Sequence, residues 1–188
     1  MPRACEEDEK SPLYISCENG YLDVVRILLK NSVNVNKCDR RDNSPLHAAC
    51  KMGHFEIVQL LLCSKRANLS HCDRRGGSPF FVACREGYIE IVKFLVDKYD
   101  YVNKCDNNGN SPLFAACEEG NIEIVKFLLS NGADIDYANS NKMLAIDAAS
   151  AGGYENIIKM LMDKKSPPKS DADEQLPPCV VRRKKSLF

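Results

Sequence analysis

His47, Cys50 and His54 stand three and four residues apart, the kind of spacing that can gather metal ligands. Zinc takes four convergent ligands, and no further close Cys or His completes this set. His71 and Cys72 form one more adjacent pair, in a loop, and read as incidental. Carboxylates recur as Asp39, Asp73 and Asp106, and as Glu56, Glu90 and Glu123. Paired carboxylates can do acid–base chemistry. Residues copied at such regular intervals are more simply turn formers and helix-dipole partners. No Ser/His/Asp or Cys/His set, no phosphate-cradling glycine loop and no cofactor motif accompanies them. The expectation is a chain that is not an enzyme and that uses no metal or cofactor.

Ten cysteines offer thiol chemistry instead. Cys17, Cys50, Cys84 and Cys117 form one periodic series, and Cys38, Cys72 and Cys105 another. Periodicity marks a repeated position and not a pairing. If repeated units stack at about 10 Å, equivalent residues lie beyond the roughly 7 Å that a disulfide can bridge. Reduced thiols in a cytoplasmic or nuclear protein are expected. The first series suits small core positions and the second lies beside loop tips, where a redox role would need exposure.

The elements that hold these residues follow from a repeat. Ser-Pro recurs at Ser11-Pro12, Ser44-Pro45, Ser78-Pro79 and Ser111-Pro112. The units are 11–43, 44–77, 78–110 and 111–143, with a degenerate fifth at 144–165. Unit two carries one extra residue between Leu62 and Cys72. Within SPLFAACEEG (111–120), Ser111 can cap a helix and Pro112 has the φ of a first helical residue. Leu113, Ala116 and Cys117 fall on one stripe, and Gly120 supplies the left-handed residue that ends the helix. NIEIVKFLLS reads as a second helix with acid in its first turn. An extended polar segment then leads to the next Ser-Pro. Two short helices cannot bury their apolar faces alone, so the units must stack.

The 188 residues carry 26 Lys+Arg against 26 Asp+Glu, a net charge of zero, which argues against a strongly basic nucleic-acid binder. Hydrophobic residues at 44% provide for a core, and no apolar run reaches the roughly 18 residues of a membrane span. The start, MPRACEEDEKSP, is acidic and lacks a secretory apolar stretch.

SPLHAAC (44–50), GHFEIVQLLL (53–62) and LLSNGADID (128–136) resemble ankyrin repeats. The resemblance covers roughly 11–165. It implies an all-α solenoid of helix–turn–helix units with β-hairpin-like fingers projecting at right angles. It also implies that His47 and His54 are satisfied by local hydrogen bonds. The family's turn glycine is present only as Gly132; Ser32 and Tyr99 replace it in units one and three, so those turns should relax by another route. Its finger-tip glycine is Asp42 in unit one and Lys142 in unit four. Leu28 with Asn36 and Leu95 with Asn103 fit the family's asparagine-hydroxylation spacing.

In this family partners dock on the face made by finger tips and first helices. Carried over by position, the binding residues are Arg40, Arg41, Asn43, Arg74, Arg75, Asn107 and Asn108 on the tips. On the helices they are Lys51, Met52, Arg85, Glu86, Glu118 and Glu119. That face would be basic across units one to three and acidic on unit four. A protein partner with an acidic segment is the expectation, bound by a monomeric adaptor or scaffold. Nucleic acid fits poorly, because the Arg pairs are flanked by Asp39 and Asp73 and lack interleaved aromatics. Two alternatives are an ankyrin-type transcriptional cofactor or inhibitor, and a Cys-based redox or metal regulator. The lead 1–10 is acidic. The tail 166–188 reads as disordered, with a basic run at Arg182–Lys185 that would suit nuclear entry. Its terminus, Ser186, Leu187 and Phe188, resembles a PDZ-type ligand.

Overall fold

Each Ser-Pro opens a helix through the expected chemistry. The hydroxyls of Ser11, Ser44, Ser78 and Ser111 accept from the backbone N–H three residues on, at 3.1, 3.4, 3.2 and 3.1 Å. The following proline occupies the first turn, where its missing N–H costs nothing. The structure, a computed structural model, describes residues 10–97 and 101–165. Among them are ten α-helices and no strand. The inner helix of each unit is α1 (Pro12–Glu18), α3 (Pro45–Met52), α5 (Pro79–Glu86), α7 (Pro112–Glu118) or α9 (Ala145–Ala151). The outer helix is α2 (Leu22–Lys30), α4 (Phe55–Cys63), α6 (Ile89–Val96), α8 (Ile122–Ser130) or α10 (Glu155–Lys165).

Inner helices pack side by side in one row and outer helices in a second. Each inner helix also rests on its own outer helix, so one continuous core runs from Leu13 to Leu161. Between units, the residue ahead of each outer helix lies on the preceding unit's glycine. Tyr88 covers Gly53 so closely that a Cβ there would sit 2.2 Å from the ring. Tyr154 covers Gly120 in the same way, at 2.5 Å. These glycines also take the left-handed conformation that stops the inner helix, so a side chain is excluded twice over.

The hairpin-like fingers prove to be tight turns. Asp39 Oδ1 accepts from the N–H groups of Arg41 and Asn43, both at 2.8 Å. Asp73 and Asp106 repeat the pattern, and Asn139 replaces them in unit four. One tip residue in each finger is left-handed: Asp42, Gly76, Gly109 and Lys142, with φ of 60, 80, 74 and 62°.

The turn after the outer helix varies as its residues require. Gly132 is left-handed there, and Lys65 takes that role in unit two. Ser32 stays out of that region: the chain leaves α2 in an extended conformation at Asn31, with ψ 151°. Arg66, the extra residue of unit two, then reaches back, and its guanidinium donates to the carbonyls of Leu29 and Val33. Tyr99, residues 1–9 and the whole tail 166–188, with Arg182–Lys185 and Ser186–Phe188, lie outside the described residues.

Candidate functional site

Neighbouring fingers are tied together by backbone hydrogen bonds in one register. Arg74 N–H donates to Arg41 O at 3.0 Å, Asn107 N–H to Arg75 O at 2.8 Å, and Ser140 N–H to Asn108 O at 2.9 Å. This tip ladder arranges the candidate residues in two columns: Arg40, Arg74, Asn107, Ser140 and Arg41, Arg75, Asn108, Asn141. The four arginines are exposed. Arg74 pairs with Asp42 across the tips at 3.3 Å, while Arg41 and Arg75 enter no ion pair among the described residues. Asn43 and Asn107 turn out to be structural ties. Asn43 Nδ2 donates to the Asp39 carboxylate, and Asn107 Nδ2 donates to Arg74 O at 3.0 Å.

The inner-helix ends supply a second row. Lys51 and Met52 are exposed, Met52 at 46%. Glu86, Glu118 and Glu119 are exposed too. Arg85 is half-buried and paired with adjacent Glu86 at 2.9 Å, and Glu18 is paired with Lys10 at 2.9 Å. The basic edge is therefore narrower than the sequence implies. Its cations without a carboxylate partner among the described residues are Arg41, Arg75 and Lys51. Such groups are free to form forked or point-charge bonds to an incoming carboxylate.

His47, Cys50 and His54 are not brought together. The His47 ring contacts Ser44 N and Oγ through Nδ1 and Gly77 O through Nε2, and burial pushes its pKa down to about 4. His54 Nε2 meets Glu18 O at 3.2 Å, over Gly20. Among the described residues no three His, Cys, Asp or Glu could hold a metal ion. No described helix is long and apolar enough to cross a membrane.

Cys17, Cys50, Cys84 and Cys117 are buried. Burial raises Cys17 and Cys117 to about 12 and carries Cys50 and Cys84 well above the ordinary range. Cys38, Cys72 and Cys105, beside the loop tips, are half-buried. Cys38 Sγ lies 3.2 Å from His71 Nε2. Its pKa is nevertheless raised, by burial and by the charges of Asp42 and Asp39, which opposes thiolate formation. The exposed thiol among the described residues is Cys63 in α4, which stands outside both periodic series.

On unit one a set of apolar residues faces solvent. Two further features were beyond sequence reasoning: the Asp42–Arg74 pair joins two tips, and Asn107 ties two fingers. Pairing depends on the stacking register, which no single unit's pattern contains. A family profile described as ankyrin repeats (3 copies) matches residues 2–73 and 80–174. No curated protein matches the chain.

Proposed function

The chain belongs to the ankyrin-repeat family, whose members are generally protein–protein interaction modules and typically non-catalytic, and from that premise we propose that it is a non-enzymatic adaptor or scaffold. Its partner presents an acidic segment to the tips and inner-helix ends of units one to three. The observation that carries this reading is the pair Arg41 and Arg75. They occupy equivalent positions on adjoining fingers, both exposed, both without a carboxylate among the described residues. The tip ladder holds their backbones in register, so little backbone ordering entropy opposes binding there. Lys51 extends the same charge onto the helix row, and Met52 offers an adaptable apolar contact. Glu118 and Glu119 repel the same partner at unit four, which gives the edge a polarity.

Selection of random peptides on the full chain tests this directly. Enriched sequences should be rich in Asp and Glu. Changing Arg40, Arg41, Arg74 and Arg75 together to Glu should abolish that enrichment and leave the melting temperature within about 2 °C. Association of a selected peptide should slow steeply with added salt in the natural chain and lose that dependence in the variant. Enrichment of neutral or basic peptides, or selection indifferent to the fourfold change, would remove this surface as the site.

A further inference from the structure

We propose that the outer flank of unit one is a self-association surface, on which a second copy of this chain docks with the two α2 helices packed antiparallel. Units two to five each press one flank against the preceding unit. At the outer-helix position that does so, Ile57, Ile91, Ile124 and Ile157 are at most 2% exposed. Unit one keeps an interior residue there, Val24, at 44% exposed. Ile27, where units two to four pack Leu60, Phe94 and Phe127 against the core, is 61% exposed. Tyr21 holds the place from which Tyr88 and Tyr154 cover a preceding glycine, and it is 56% exposed with no glycine beneath it. With Ile15, these make four of the eight exposed large hydrophobics among the described residues. Clustering of this kind on one flank marks an interaction surface.

Two observations select a second copy as the occupant. The first is charge. At 100° per residue, Asp23 and Lys30 flank Ile27 on the solvent side of α2, with Arg26 beside them. Asp23, Arg26 and Lys30 enter no ion pair among the described residues. The helix is thus acidic at its start and basic at its middle and end, with Val24 and Ile27 among these charges. An antiparallel pair sets each Asp23 beside the other copy's Arg26 and Lys30, and opposes the two helix dipoles favourably. The second is the character of the other end. Head-to-tail stacking would lay this apolar flank against Asp147 and Ser150 of unit five, which are exposed polar groups. A two-fold arrangement sets apolar side chains against apolar side chains and uses the same patch twice. The expectation of a monomeric chain gives way to a weak dimer, with a dissociation constant on the order of 10 µM for so small an apolar centre.

Sedimentation of the full chain from about 1 to about 200 µM tests this. The expected result is a monomer–dimer equilibrium that the double change Val24→Asp and Ile27→Asp weakens at least about 100-fold, with unchanged circular dichroism. Asp23→Arg alone should weaken it about tenfold. Mixing that variant with one carrying Arg26→Glu and Lys30→Glu should restore association as a heterodimer. A chain that stays monomeric throughout overturns the proposal and leaves the flank to residues 1–9 or to another partner. A dimer indifferent to the apolar changes overturns it as well, and a mixture that fails to recover excludes the antiparallel pairing.

Discussion

Asp147 and Ser150 in unit five stand where unit four has Phe114 and Cys117, which are 6% and 0% exposed. Ile15 and Val24 in unit one stand where unit two has Ala48 and Ile57, which are 3% and 2% exposed, and yet both face solvent. At unit five the sequence has changed to suit water, with the Asp147 carboxylate reused to accept from Leu144 N–H at 2.8 Å. At unit one it has kept the interior type. An apolar side chain left in water forgoes about 25 cal/mol per Å² that burial would return. Polarity within a repeat is thus a record of what each flank meets, and the two ends of one stack can be read against each other.

The largest effect expected is kinetic. Cys50 and Cys84 lie in interior units and should label with a thiol reagent at least about a thousandfold more slowly than exposed Cys63, since only extensive opening reaches them. Cys17 is as buried but belongs to the end unit. It should label about tenfold faster than Cys50, because opening of unit one alone exposes it. Equal rates for Cys17 and Cys50 would mean that unit one is as well held as the interior, and the contrast between flanks would lose its energetic basis.

Next in size is the same outer-helix position probed twice. Ile124→Ala should cost about 3 kcal/mol in chemical denaturation, and Val24→Ala less than about 1 kcal/mol at micromolar chain concentration. Similar losses at both sites would show that Val24 is covered.

The inner-helix position occupied by Tyr14, His47, Phe81, Phe114 and Asp147 sharpens the comparison further. His47 alone among them is buried and carries a group whose ordinary pKa lies near neutrality. Its folded pKa of about 4 lies below the unfolded value of about 6.5, so the unfolded chain binds more protons between those limits. Stability is therefore lost as pH falls from 6.5 towards 4, by about 2 kcal/mol between pH 7 and pH 5. His47→Phe adopts the residue of units three and four and should flatten that stretch of the stability–pH curve. An unchanged curve would assign the acid loss elsewhere.

Smaller than the His47 effect is that of Asp147→Phe, which gives unit five the interior residue of its neighbour. Loss of the bond to Leu144 should cost about 1 kcal/mol. The same change should raise dye binding and self-association, since it makes at unit five the kind of exposed apolar flank that unit one already has. Unaltered solution behaviour would show that one residue does not set the character of a flank.

The Ser-Pro period, the glycine stops and the apolar stripes gave the ankyrin-type stack, because each is a local property: a hydroxyl that caps, a ring that presets φ, a residue without Cβ. Burial of the four core thiols and the turn-forming role of Asp39, Asp73 and Asp106 were legible for the same reason. The tip arginines could be placed on fingers, but not sorted. Arg74 is neutralised by Asp42 of the previous finger, and Arg85 is held by Glu86, while Arg41 and Arg75 have no carboxylate among the described residues. Which cation finds a carboxylate depends on the offset between stacked units, with separations of 32 residues in the Asp42–Arg74 case. The same offset brings Arg66 onto the open turn of unit one and Asn107 onto the finger of unit two. Local chemistry chooses the elements, and only stacking decides which charges and which apolar side chains remain available at the surface.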